Sequence, residues 1–498
     1  MNLSERLAGI FSNKVFSISA LTLLVCSIGI FLFPENFYQA IETSSLWVRN
    51  YFGSFYLWLG FVCVIGTLAL GFSPFGSIRL GSAPPEFNRL TWIAMLYSAG
   101  MGAGILLRAV QEPVFMFLHQ PLETGTSAEI MALEYTFYQW GFTAWAFYGI
   151  FALIIAYSLF VTKKDIRLSS LFGKKSSTGR LPKLIDILTI ITTITGLVAA
   201  VGLGTTQIEG GISHLIQKPP GSLGLNMALV LVICSLAFVS AWYGIHKGIS
   251  LISNWNIYIT TALLLFIFLF SDIAGIFESF SNSFYHYLID FVPMSLAFDK
   301  YDPGKPFLTE WTYYYWAFWL AWAPFTGVFI ARISKGRTIR ELIIGVLLIP
   351  SIGSFFWFSV FGDAAFEIVK NSSSYQDDFG NVFTSIFLFL ENYPFPLFSS
   401  LVVILLLISF LVTSVDSAIY VLSMFTDKGK TEPSKKYRFA WAAVIFIFCE
   451  AIILLGAARQ DTNVLTAMQK LLIITSLPFA FFTILISILF IRKLKRQV

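Results

Sequence analysis

Charged residues are scarce in this chain. Asp, Glu, Lys and Arg together make up 12% of it, about half the share usual in a soluble globular domain. Histidine is scarcer still: His119, His214, His246 and His286 are scattered and lie near no Cys pair or HExxH pattern, so the sequence supports no resident metal centre. The four cysteines, Cys26, Cys63, Cys234 and Cys449, all fall inside apolar runs, where a thiol reads as a small buried hydrophobe and implies no disulfide framework. The formal charge of +5 is what cationic inner loops of a membrane protein produce, and nucleic acid is set aside as a partner.

Apolar residues are abundant. They form 56% of the 498 residues, and the mean hydropathy is +0.75, a balance that places the chain in a bilayer. Stretches able to span one, about twenty residues each, lie near 16–33, 53–72, 91–118, 134–162, 183–216, 223–245, 250–271, 311–333, 340–362, 396–425, 436–456 and 464–492. The first follows the short segment MNLSERLAGIFSNK, which lacks a small-residue cleavage site, so a retained helix is expected. The expectation is an all-α integral membrane protein of about 12 transmembrane helices. With both termini in the cytoplasm, most of the 33 Lys and Arg fall on the inner side, in KKDIRLSSLFGKK, RISKGRTIRE, DKGKTEPSKKYR and RKLKRQV, as positive-inside orientation requires. The last of these reads as an anchor to anionic membrane lipids. Residues 272–299 read as an amphipathic helix on the outer surface.

Two spans carry helix-breaking residues at corresponding places: SAGMGAG in the third and WAFWLAWAPF in the eighth. Paired interruptions point to a transporter binding site; glycine for close packing and proline as a tolerated kink are the plainer account. Trp140, Trp145 and Tyr148 fall within about 140° of one helix face, and Trp316, Trp319 and Trp322 follow at i, i+3 steps in span eight. Such faces attract a quaternary ammonium by cation–π interaction, although a chain that is 17% aromatic also packs many rings with no ligand. In FLVTSVDSA, Thr413, Ser414, Asp416 and Ser417 interrupt an apolar run. Thr413 and Ser414, with carbonyls freed by the glycine break, can cage a sodium ion, or the hydroxyls can bond back to their own helix. Arg108 is an intramembrane cation and hence a functional candidate. It can meet the anionic end of a substrate or pair with Glu112, Glu134 or Glu209.

These segments resemble those of the betaine/choline/carnitine transporter family, in the expected order: AGMGAGILLRAVQEP, the Trp140, Trp145, Tyr148 cluster, VGLGTTQI, KGISLISNWN, the block from Trp311 to Glu341, and VTSVDSA. The resemblance covers roughly residues 10 to 490. It implies the leucine-transporter type of fold, an inverted five-helix repeat preceded by two extra helices, usually assembled as a homotrimer. Residues 1–90 would then be the N-terminal segment and extra helices, 91–272 the first repeat, 273–310 the external helix and loop, 311–492 the second repeat and 493–498 a short basic tail.

The resemblance also implies site residues. The box for a trimethylammonium head falls on Trp140, Trp145, Tyr148 and Trp319, with Trp322 on the cytoplasmic path and the substrate carboxylate near Gly100, Gly102 and Gly104. Sodium, the coupling ion in place of any cofactor, falls on backbone oxygens of Ser98, Met101 and Phe410 and the side chains of Thr413 and Ser414. Asn256 stands where sodium-independent exchangers carry Arg, which favours sodium coupling. Phe318 replaces a Trp usual in the family, Gly104 resembles the betaine type where choline carriers have Asp, and Arg108 stands where an uncharged residue is more common. The implied function is sodium-coupled symport of betaine-like zwitterionic onium compounds by alternating access, with no enzymatic step. A sodium-independent exchanger of carnitine- or choline-like substrates and a non-transporting sensor are the alternatives, the sensor lacking a sizeable soluble domain.

Overall fold

The computed structural model describes residues 13–496 apart from 101, 173–178, 244–245, 373–374, 428 and 431, and the side chains of residue 100 and residues 246–251 are likewise outside it. The described chain is helical: α1 (Lys14–Leu32), α2 (Pro34–Phe72), α3 (Arg89–Gly100), α4 (Ala103–Arg108), α5 (Gln111–His119), α6 (Ala128–Trp140), α7 (Phe142–Ala156), α8 (Arg180–Leu215) and α9 (Leu223–Tyr243). There follow α10 (His246–Leu269), α11 (Ile273–Leu296), α12 (Lys305–Glu310), α13 (Thr312–Ile333), α14 (Ile339–Asn371), α15 (Ser385–Leu390), α16 (Pro396–Thr426), α17 (Lys435–Gly456) and α18 (Val464–Leu494). Eleven helices or joined helix pairs among the described residues are long and apolar enough to cross a membrane, and twelve if α3 and its continuation through α4 and α5 count as one bent span. The all-helical, multi-pass membrane architecture read from the hydropathy pattern is therefore the one found. Spans five apart in chain order touch: α3 packs on α13, α6 and α7 on α14, α8 on α16, and α9 on α17.

The second span differs from its hydropathy outline. Its helix begins at Pro34 rather than near 53 and runs 39 residues, about 58 Å at 1.5 Å per residue. Pro34 suits the first helical turn, where no N–H is needed. The charges that hid this extension from hydropathy are neutralised across helices: Arg49 Nη1 lies 3.2 Å from Glu310 Oε1, and Lys470 Nζ 3.0 Å from Glu42 Oε1.

The two halves are not interrupted alike. In span three the arms Arg89–Ala99 and Ala103–His119 diverge by 57°, as the glycines lead one to expect. Span eight is not broken at proline: α13 runs unbroken through Pro324. The ring removes one N–H and leaves the Leu320 carbonyl without its helix donor, yet Leu320, Ala323 and Pro324 are buried where α13 packs on α7, α8 and α18, and surrounding protein tolerates such a gap. The chain leaves the helix instead at Trp311, between α12 and α13.

On the side that carries the loops 73–88 and 334–338, the chain makes a clasp. Leu80 N donates to Arg337 O (2.8 Å), Gly336 N to Leu80 O (2.8 Å) and Ile339 N to Ile78 O (3.0 Å). Gly336 sits at φ +80°, with the Pro84 carbonyl carbon 2.6 Å from where a Cβ would be, so only glycine fits there. Arg337 closes the clasp by donating to Phe87 O at 2.8 Å while lying 4.8 Å over the Trp92 ring, and Trp92 Nε1 donates to Ser334 Oγ at 3.0 Å.

Candidate binding cavity

Span four places the first wall. Its helix stops at Trp140 and restarts at Phe142, with Gly141 between them at φ −97°, ψ −136°. A Cβ at Gly141 would meet Phe137 O at 2.5 Å, Phe355 Cζ at 2.6 Å and Tyr287 Oη at 2.7 Å. The backbone groups at the break find partners on other helices: Phe142 N donates to Tyr287 Oη at 2.9 Å, and the Gln139 carbonyl accepts from Trp319 Nε1 at 2.9 Å. The second bond ties α13 to the bend, so the discontinuity orients two aromatic residues at once.

The rings so placed meet edge to face. Trp140 and Trp319 have centroids 5.1 Å apart at 73°, Trp145 and Tyr148 5.2 Å at 90°, Tyr148 and Trp319 6.0 Å at 86°, and Phe318 and Trp319 5.2 Å at 78°. Rings near right angles form walls rather than a stack. They line a cavity of about 670 Å³ that also takes in Ser98, Gly102, Gly104, Asn256, Trp322, Phe410, Thr413 and Ser414. Every expected aromatic residue but Trp316 thus faces one space, together with the hydroxyls. Met101 lies outside the described residues, and Gly100 ends α3. Trp316 turns away, 1% exposed and packed on Tyr138 at 5.2 Å.

Gly104 and Trp140 are in near contact: a Cβ on Gly104 would come 3.5 Å from Trp140 Cη2, so any larger side chain enters the box. Trp322 Nε1 donates to Gly196 O on α8 at 3.1 Å. Ser98 Oγ donates to Met95 O at 2.8 Å, and Thr413 Oγ1 to Ser409 O at 2.9 Å and Phe410 O at 3.0 Å. A hydroxyl that donates to its own helix keeps lone pairs for a cation, so these bonds are compatible with ion ligation. Asn256 accepts a short hydrogen bond from Ser409 Oγ.

Arg108 is not among the residues lining the cavity. It is 5% exposed, donates to Gln111 Oε1 at 2.6 Å, places Nε 3.9 Å from Glu112 Oε2, and lies 5.0 Å over the Trp311 ring. Glu112 in turn accepts from Trp140 Nε1 at 3.2 Å to each oxygen and from the Tyr315 hydroxyl. Of the two roles open to Arg108 in the sequence, the geometry favours the ion pair that braces the back of Trp140. Glu209 has other partners: it accepts from Gly221 N, Ser222 N and Ser213 Oγ, tying the loop before α9.

Sequence reasoning missed Ala200, Leu203 and Gly204 on α8 and Phe325, Thr326 and Phe329 on α13, all of which line the cavity. On α13 the signal was usable, since Phe325, Thr326 and Phe329 follow Trp322 at i+3, i+4 and i+7 and continue the face already identified. The cavity runs from the box along α13 to the exposed Arg332 and along α16 to Asp416 and Tyr420, reaching the exposed Glu432. At the other end Trp311 lies 4.7 Å from Phe115 and 6.4 Å from Tyr315, and these rings cover the box.

A multi-pass helical protein with a deep, ring-walled cavity open at one end has the build of a membrane transporter. The family model described as betaine/carnitine/choline family transporter matches residues 14–498, and the chain belongs to that family, whose members are transporters and not enzymes. It is 36% identical to the glycine betaine transporter OpuD of Bacillus subtilis over 89% of this chain and 88% of that protein. It is 32% identical to the osmo-dependent choline transporter BetT2 of Acinetobacter baylyi, over 95% and 70%, and 31% identical to an ectoine/hydroxyectoine transporter of Virgibacillus pantothenticus, over 97% of each.

Proposed function

We propose that the chain is a sodium-coupled symporter that imports betaine-like zwitterionic onium solutes by alternating access, working as a homotrimer in the cytoplasmic membrane with both termini inside. The observation that carries this is the convergence on one cavity of Trp140, Trp145, Tyr148 and Trp319 with Ser98, Phe410, Thr413 and Ser414. Aromatic faces in a desolvated site attract an onium head at about 2 kcal/mol or more, and oxygen donors are what a hard cation takes. Asn256, engaged with Ser409, brings no cation to compete with sodium. With the termini inside, the cavity opens to the cytoplasm and the Trp311, Tyr315 and Phe115 rings close the outer path, an inward-facing arrangement. A potential of about 100 mV supplies roughly 2.3 kcal/mol per charge moved inward.

Relatives named for glycine betaine, choline and ectoine support the solute class, and the bare Gly104 favours a zwitterion over a cation. Radiolabelled glycine betaine uptake into proteoliposomes, with and without an inward sodium gradient, tests the reading. Accumulation driven by sodium is expected. Uptake indifferent to sodium, or counterflow alone, would replace symport with exchange.

A further inference from the structure

Away from the cavity, span four and the outer helix bring together three side chains from distant parts of the chain. Glu134 lies on α6, and His286 and Asp290 lie on α11; one ligand atom from each sits within 4.8 Å of the others. His286 and Asp290 are four residues apart on one helix face, with Nδ1 3.6 Å from Oδ2. Glu134 is 0% exposed, and neither of its oxygens has a hydrogen-bond partner among the described residues. A carboxylate so buried and unpaired is unfavourable unless a cation or proton meets it. Asp290 Oδ1 is occupied, accepting from Tyr301 Oη at 2.5 Å, which leaves Oδ2 facing the cluster. The neighbouring cation Lys300 is exposed and lies over the Tyr301 ring at 5.1 Å. The side chains of His286 and Asp290 are 28% and 14% exposed, so an ion from the aqueous side can enter.

We propose that Glu134, His286 and Asp290 bind a first-row divalent transition-metal ion of the zinc type, which ties α11 to α6. One imidazole nitrogen and two carboxylates, with water in the fourth position, form an accepted donor set for zinc. Tetrahedral ligation at about 2.0–2.2 Å brings donors to roughly 3.3 Å from one another, so the three side chains close in on the ion by rotation. Binding requires neutral imidazole and ionised carboxyls and therefore releases protons. The contact is well placed to matter: Ser283 Oγ donates to Ile130 O at 3.2 Å, and Tyr287, adjacent to His286, holds Phe142 N at the break beside Trp140.

The test is direct zinc binding to the full-length, tag-free protein in detergent, with excess magnesium present. One zinc per chain is expected, and His286→Gln and Glu134→Gln should each weaken binding by more than about 100-fold, the upper end of the loss caused by removing even a supporting partner of a metal ligand. Glu134→Gln removes only an unpaired charge, so it serves as the variant that keeps its fold, checked by size exclusion. Zinc should also slow amide exchange over residues 284–292. No saturable binding in the wild type would overturn the site. Binding in both variants as tight as in the wild type would overturn it as well, and bound zinc with unchanged exchange would refute the tie between the helices.

Discussion

Replacing Arg108 with Gln separates a brace from a substrate contact. Arg108 and Glu112 are 5% and 0% exposed, with Nε and Oε2 3.9 Å apart. Truncating one partner of a buried pair costs about 3–5 kcal/mol because the other charge stays buried. The low end applies here, since Glu112 retains donors from Trp140 and Tyr315. Arg108 also loses its stacking on Trp311, worth up to about 2 kcal/mol in a desolvated site, so the single variant should be destabilised by roughly 4–5 kcal/mol. Adding Glu112→Gln removes the orphaned charge and should return about 3 kcal/mol of that loss. The assay is the order of thermal midpoints in detergent, read beside the affinities for glycine betaine and choline. The wild type should melt highest and the double variant above Arg108→Gln, with both substrates affected alike. An Arg108→Gln protein that melts like the wild type but loses glycine betaine and keeps choline would refute the brace and restore the carboxylate contact.

Trp319→Ala removes both a cavity wall and the donor to Gln139, and substrate affinity should fall about 30-fold or more, the equivalent of about 2 kcal/mol; Trp322→Ala should lower the transport rate more than the affinity, and equal binding losses in the two would reverse their assignments. Thr413→Ala with Ser414→Ala should raise the sodium concentration for half-maximal uptake, and an unchanged sodium dependence would move the ion elsewhere. Gly141→Ala forces a methyl into contacts of 2.5–2.7 Å, of the kind that costs about 1–3 kcal/mol, so it should lower the melting midpoint and weaken binding together; a neutral outcome would show that the break relaxes freely.

Much of the cavity was legible because helical periodicity is local. Trp319 and Trp322, and Trp145 and Tyr148, share faces by spacing alone, and Arg108 and Glu112 are neighbours at i, i+4. What was not legible depends on groups brought in by tertiary packing. A lone Gly141 in an apolar helix signals little; its break exists because the Tyr287 hydroxyl and the Trp319 indole, both distant in the chain, satisfy the freed backbone. Pro324 was misleading for the converse reason, since the helices packed around it let α13 continue unbroken through the missing bond. The N-terminal extension of α2 was hidden by Glu42 and Arg49, whose partners Lys470 and Glu310 lie hundreds of residues away. Glu134, His286 and Asp290 match no metal spacing because their proximity is made by the docking of α11 on α6.

The bonds between residues 78–88 and 334–341 determine where slack remains. With its foot stapled to the turn between α13 and α14, α3 cannot slide along α13 as a free rod. It can tilt only about that foot, and the change of direction must be taken up at the other end, at the extended Gly102. Motion of span three then becomes a question of leverage. The arm below the bend turns about a fixed fulcrum, and the arm above it, carrying Arg108 and Glu112, stays bolted to Trp311 and Tyr315. Lengthening the 78–88 loop would loosen the fulcrum while leaving every cavity residue in place.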